Sequence, residues 1–244
     1  MNKHPILYSY RRCPYAMRAR MAIYLSGIQV EQREIVFWEK PQPMLEASPK
    51  GTVPVLILPD GTAIEESRDI MLWAFKHAVD KTIYQAWLFS EGSKENQAIQ
   101  QWIDRCDNEF KTHLDHYKYA DRFPEYPQAH YRELGCEFLN SIESTLSSAN
   151  LDAGNKQSFL VGNQLSMADI AVFPFVRQFV NVDKSWFAEA NYFCLKSWLT
   201  LLLDSDFFKA VMKNRPVWQE RHLPLWVDEP NLETKNQFTQ KAQG

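Results

Sequence analysis

Glycine is scarce in this sequence, with eight residues in 244. None of them forms a Gly-rich loop able to cradle phosphate, so no nucleotide cofactor is expected. Cysteine is scarce as well. Cys13, Cys106, Cys136 and Cys194 lie far apart, with no C-x-x-C pair and no histidine at zinc-like spacing. That excludes a disulfide framework and a structural zinc, and no metal is expected. There is no N-x-S/T sequon, which suits a reducing compartment. Charge of either sign is never concentrated: the formal net charge is -3 and no block of five like charges occurs. The chain therefore has no global pull toward nucleic acid or an anionic membrane. No apolar stretch reaches the 18 residues of a membrane span, and Met1-Asn-Lys-His-Pro leads into only a short apolar run, unlike a signal peptide. These absences point to a cytoplasmic protein.

Hydrophobic residues make up 45% of the chain, enough for two ordinary cores without a staple. The first eighty residues mix strand and helix signals. Ile6 to Tyr10 reads as a strand, Arg11-Arg12 as a loop, and Cys13-Pro14 opens a helix through Met17, Met21, Ala22 and Leu25 that Gly27 stops. Val30 to Phe37 reads as a second strand, and Pro41 and Pro43 flank a loop. Val53 to Leu58, the turn Pro59-Asp60-Gly61 and Thr62 to Ile64 form a hairpin, and Glu65-Glu66-Ser67 leads into a helix through Ile70, Trp73 and Ala74. From Lys94 the pattern is helical throughout. Ile99, Ile103, Cys106, Phe110 and Leu114 mark one amphipathic helix; Tyr131, Leu134, Phe138, Ile142 and Leu146 mark another. Ser166 and Asp169 have the spacing of a capping box, in a helix that Pro174 should kink. The reading is an α/β domain over 1–80, a linker over 81–93, an all-helical domain over 94–228 and a polar tail over 229–244.

The chemistry centres on Cys13. It sits where a strand hands over to a helix, and Pro14 fits the first helical position because that amide has no intrahelical partner. A sulfur at a helix N-terminus, with Arg11, Arg12 and Arg18 close in sequence, favours the thiolate, which is the nucleophile. Cys106, Cys136 and Cys194 fall within helical patterns and read as small buried hydrophobes. His113 and His116 share a helical face but lack a third metal ligand.

Cys13-Pro14-Tyr15-Ala16 resembles the active-site motif of the glutaredoxins and the cysteine-type glutathione S-transferases, most closely the omega-like class. Thr52-Val53-Pro54-Val55-Leu56 and Glu66-Ser67-Arg68-Asp69-Ile70 resemble that family's other N-terminal signatures, and Ser166 to Asp169 its C-terminal capping box. The resemblance implies a thioredoxin-like N-terminal domain followed by a helical domain, with glutathione as co-substrate. It implies that Pro54 is a cis proline and that Val53 pairs, strand-like, with the cysteinyl part of glutathione. Ser67 and Glu66 would hold the γ-glutamyl head, and Lys40 would meet the glycyl carboxylate. Ala16 stands where dithiol glutaredoxins carry a second cysteine, so no internal disulfide can form there. Tyr8 and Tyr10 read as strand residues rather than as a catalytic hydroxyl. A second-substrate pocket would draw on Phe110, Tyr117, Arg177 and Trp218.

The expected activity is glutathione-dependent thiol transfer: thioltransferase, dehydroascorbate reductase or deglutathionylation of a small disulfide or electrophilic substrate. The alternatives are a non-catalytic protein of the same fold that acts by protein binding, and conjugation of glutathione to electrophiles. The resemblance also implies a homodimer.

Overall fold

The computed structural model describes residues 3–152, 159–230 and 232. They divide into two compact units: one takes the described residues up to Tyr84 together with those from Ser205 onward, and the other runs from Gln85 to Asp204.

The first unit is built on a four-stranded sheet. Strands β1 (Ile6–Ser9), β2 (Glu31–Glu34), β3 (Val55–Ile57) and β4 (Ala63–Ile64) lie in the order β2-β1-β3-β4. β1 is parallel to β2 and antiparallel to β3, and β3 and β4 form the hairpin. The parallel pair needs a crossover, which α1 (Pro14–Ser26) provides. Gly27 ends α1 in the left-handed region at φ 69°, donating its N–H to the Tyr24 carbonyl. Two further short helices follow α1 in sequence: α2 (Gln42–Ala47) and α3 (Ser67–Lys76). The Pro41/Pro43 segment, read from sequence as a loop, thus carries a helical turn, because Pro43 lies within the first turn where its missing N–H is harmless. On one face of the sheet Ile6, Tyr8 and Val55 pack with Ile35, Met44 and Val53 into a buried cluster, against which Cys13 and Trp218 also lie.

Strand β2 would be an exposed edge, yet it is covered by the returning C-terminal segment. The N–H of Gln32 donates to the Leu225 carbonyl (2.7 Å), that of Trp218 to the Glu34 carbonyl (2.8 Å), and that of Val227 to the Val30 carbonyl (3.0 Å). The sequence reading carried the helical domain to residue 228. These ladder bonds attach the stretch from Trp218 to Val227 to the sheet instead, and the described residues from Ser205 onward fall in the first unit. Glu229, placed in the polar tail, is buried; most of that tail lies outside the described residues.

The second unit is helical. The expected linker contains α4 (Thr82–Leu88), which spans the boundary of the units. The first long helix is α5 (Lys94–Arg105), a π-helical turn over Cys106–Phe110, and α6 (Lys111–Lys118) in sequence. The second is α7 (Gln128–Asp152). Buried at the centre is α8 (Met167–Val180), with α9 (Lys184–Glu189) and α10 (Phe193–Asp204) after it; α11 (Asp206–Val211) belongs to the first unit. Ser166 and Asp169 form the expected capping box. Asp169 is fully buried and accepts from the N–H of Ser166 and Leu160, the Ser166 hydroxyl and the Trp198 indole. No helix among the described residues is long and apolar enough to cross a membrane.

Candidate active site

Cys13 is the N-cap of α1, with extended backbone (φ -73°, ψ 122°) and Pro14 at the first helical position. Its N–H donates to the Tyr10 carbonyl at 3.1 Å, closing the loop from β1, and its carbonyl accepts from Met17 N–H at 2.9 Å as the first helical bond. The side chain is partly buried, and the thiol donates to the Val53 carbonyl at 3.7 Å. The sulfur therefore faces the main chain entering β3, at the cis Val53–Pro54 peptide.

Of the other residues singled out for the site, Lys40 and Glu66 meet the loop before Val53, at Gly51 and Lys50, and Ser67 meets Arg18 on α1. Gly51 has φ +63°, and a Cβ there would lie 3.4 Å from the Lys40 ammonium. Lys40 thus rests over the loop that leads to Val53. Ser67 begins α3 one position after its N-cap Glu66, and its buried hydroxyl accepts from Arg18 Nε at 3.0 Å. Glu66 is exposed and pairs with Lys50, whose ammonium it holds above its usual pKa through the hydrogen bond. A carboxylate already carrying an ammonium partner, beside the amide end of a helix, offers both signs that an amino-acid head requires.

The arginines divide differently from the sequence reading. Arg12 is exposed and donates to the Tyr10 hydroxyl, while Arg18 is buried on Ser67 and lies over the Tyr15 ring at 5.1 Å. Arg20 was not singled out at all, yet its buried guanidinium is electrostatically coupled to Cys13 and binds the carbonyls of Tyr10 and Arg11. Its place two residues after Arg18 puts it on a different face of α1, and no signal in the sequence marked it. Tyr8 is a fully buried strand residue whose hydroxyl accepts from Arg33.

Of the four residues offered for a second-substrate pocket, Phe110, Tyr117 and Arg177 belong to the helical unit and Trp218 to the first unit. Phe110 and Tyr117 are core side chains of the helical unit: Phe110 stacks on Phe138 at 4.5 Å and Tyr117 packs on Phe179 at 4.8 Å. Their helical spacing served packing. Arg177 borders a cleft of about 610 Å³ in the same unit. Trp218 alone shares a unit with Cys13; Arg33 lies over its ring at 4.2 Å. Of the remaining cysteines Cys106 is buried as expected, whereas Cys136 and Cys194 are only partly so. Burial nonetheless pushes the Cys136 thiol pKa up.

Residues 7–82 match the family model of the glutathione S-transferase N-terminal domain, and residues 96–201 that of the C-terminal domain. The chain belongs to the glutathione S-transferase family. Among family members it is 28% identical over 172 residues to glutathione S-transferase omega-1 of Rattus norvegicus, covering 70% of this chain and 66% of the rat protein. It is 23% identical over 211 residues to the Mus musculus omega-1 protein, covering 86% and 77% respectively. Among solved structures of the fold, Ure2p in complex with S-hexylglutathione aligns with a TM-score of 0.72 at 16% identity, over 86% of this chain and 98% of that one. Glutathione transferase URE2P8 from Phanerochaete chrysosporium, with oxidized glutathione, aligns with a TM-score of 0.69 at 15% identity, over 86% and 93%. The matched N-terminal model contains Cys13, Lys40, Val53, Pro54, Glu66 and Ser67, but ends well before the C-terminal segment that covers β2.

Proposed function

We propose that this glutathione S-transferase is a cysteine-type thiol transferase that uses glutathione as co-substrate and Cys13 as nucleophile. The observation that carries the reading is the position of Cys13: N-cap of α1, sulfur turned to the Val53 carbonyl. Glutathione would lie along the chain at Val53 and Pro54, with its γ-glutamyl head at Ser67 and Glu66 and its glycyl carboxylate at Lys40. The glutathione named with the structural neighbours supports this choice of ligand.

The exchange balances without a second protein thiol. Cys13 thiolate attacks the glutathione sulfur of a mixed disulfide; the S–S bond breaks, the substrate leaves as a thiolate and takes a proton from water, and a Cys13–glutathione disulfide remains. A second glutathione thiolate then attacks that disulfide, forming oxidised glutathione and returning Cys13. Ala16 in place of a resolving cysteine leaves this route open and removes the internal one. The protein would work in the cytoplasm, the reading its composition suggested, and as a homodimer, as the omega-like resemblance implies.

Treatment with oxidised glutathione followed by peptide mapping should place a mixed disulfide on Cys13. Cys13→Ser should abolish thioltransferase turnover while calorimetry still registers glutathione. An adduct chiefly on another cysteine, or full turnover in the variant, overturns the reading. Conjugation of electrophiles that survives Cys13→Ser would instead favour the transferase alternative.

A further inference from the structure

We propose that Arg20, fastened from behind by the C-terminal segment, is a positioning residue that shapes the Cys13 loop and holds a buried positive charge against the Cys13 thiolate. This rests on the reading of Cys13 as nucleophile and names a residue that reading does not contain.

Arg20 lies on α1 with no exposed surface. Its guanidinium spends its donors on main-chain carbonyls, the Ser9 hydroxyl and the Met212 sulfur (3.8 Å). Nη1 reaches the Ser9 hydroxyl and the Tyr10 carbonyl (3.2 Å), Nη2 the Arg11 carbonyl (2.8 Å), and Nε the Val211 carbonyl (3.2 Å) at the end of α11. One planar fork thus ties the end of β1, two residues of the loop before Cys13, and the segment that returns after the helical unit. A lysine could supply the charge but not the fork.

The electrostatics run the same way. The charged groups on the elements around this loop include Arg11 and Arg12 on the loop itself, Arg18 and Arg20 on α1, Glu31, Arg33 and Glu34 on β2, Asp206 and Lys209 on α11, and Arg215, Asp228 and Glu229 in the C-terminal segment. Glu34 is buried; it accepts from Arg11 N–H and from Gln32 Nε2 (3.2 Å), and it interacts with both Arg20 and Arg215. Arg215 also interacts with Glu229, itself buried, and with Asp228, so the two cations face two buried carboxylates; Arg20 is the one whose hydrogen bonds reach the Cys13 loop, in a region of weak screening. Burial brings Arg20 down to about 10, with Glu34 and then Cys13 opposing the drop, so the guanidinium stays charged at neutral pH. Whatever the thiolate does to Arg20 is reciprocal. The need is local: on deprotonation the sulfur faces the Val53 carbonyl oxygen with no proton between them, and a cation behind the loop offsets that repulsion.

The test is the pH dependence of Cys13 alkylation by iodoacetamide, mapped by mass spectrometry on the full-length protein, with circular dichroism to verify folding. Arg20→Gln should raise the midpoint by about one pH unit, and Arg20→Lys should recover most of that shift. Glu34→Gln, which keeps an acceptor for Arg11 N–H but removes the competing charge, should move the midpoint the opposite way, and it decides the matter if Arg20→Gln does not fold. Midpoints unchanged in the folded variants overturn the proposal. A wild-type midpoint at the ordinary thiol value that still shifts between variants would leave Arg20 its role and sink the nucleophile reading instead; a low wild-type midpoint that no variant moves does the reverse.

Discussion

At the scale of single residues, the candidate site depends on small groups with definite partners. Ser67 is the sharpest case, because its hydroxyl accepts from buried Arg18 while its N–H stands in the first turn of α3. Ser67→Ala leaves a charged donor short of an acceptor and takes one contact from the ligand head. We expect a loss of about 1–3 kcal/mol in glutathione affinity, roughly a 5- to 150-fold rise in Kd by calorimetry. An unchanged Kd would place the γ-glutamyl head elsewhere. Cys13 was legible in the sequence because a Cys-Pro step after a strand has one geometric meaning. Arg18 and Arg20 were not separable there, since one turns to Ser67 and the other to the loop only once α1 is packed.

At the scale of elements, α8 is held by Asp169 at its start and by close packing along its length. Asp169 receives four hydrogen bonds in a fully buried position, and burial raises its carboxyl pKa against the pull of those donors. Asp169→Ala strands all four donors and should cost about 3–5 kcal/mol in denaturant melts, against about 1 kcal/mol for Ser166→Ala. Neither should move the Cys13 alkylation midpoint. Gly135 on α7 sets two effects in opposition. Alanine would gain up to about 1 kcal/mol of helix propensity, but its Cβ would sit 2.3 Å from Phe179 Cε2. The Phe179 ring is already packed on Phe110 and Tyr117, so it has little room to yield. Overpacking wins, and Gly135→Ala should lower stability by about 1–3 kcal/mol, read as a lower melting temperature. The capping box was legible because its spacing is local. The clash at Gly135 was not, for it joins two helices more than forty residues apart.

At the scale of the whole molecule, the first unit is discontinuous in sequence. Residues from Ser205 onward bury Phe208, Val211, Leu225 and Val227 and pair with β2. Each such side chain is worth about 1.5–3 kcal/mol of burial, a total comparable to the stability of a domain. A chain ending at Asp204 should therefore lose cooperative unfolding of its first unit. Residues 85–204 expressed alone should keep a helical circular dichroism spectrum and a single melt. If the shortened chain melted like the full one, the β2 edge would not depend on its cover.

What the sequence alone determined is whatever rests on short-range physics: strand and helix periodicity, Cys13 and Pro14 at a helix start, the hairpin turn and the Ser166–Asp169 cap. Short α2 escaped it because two prolines signal a loop as strongly as a first helical turn. Tertiary structure alone decided which arginine faces the Cys13 loop, that Phe110 and Tyr117 serve the core, and that the C-terminal segment completes the sheet. Each of these depends on groups brought together by packing, across spans from nine residues to nearly two hundred. Burial and hydrogen-bond partners, which give such side chains their roles, come into being only when the chain has closed on itself.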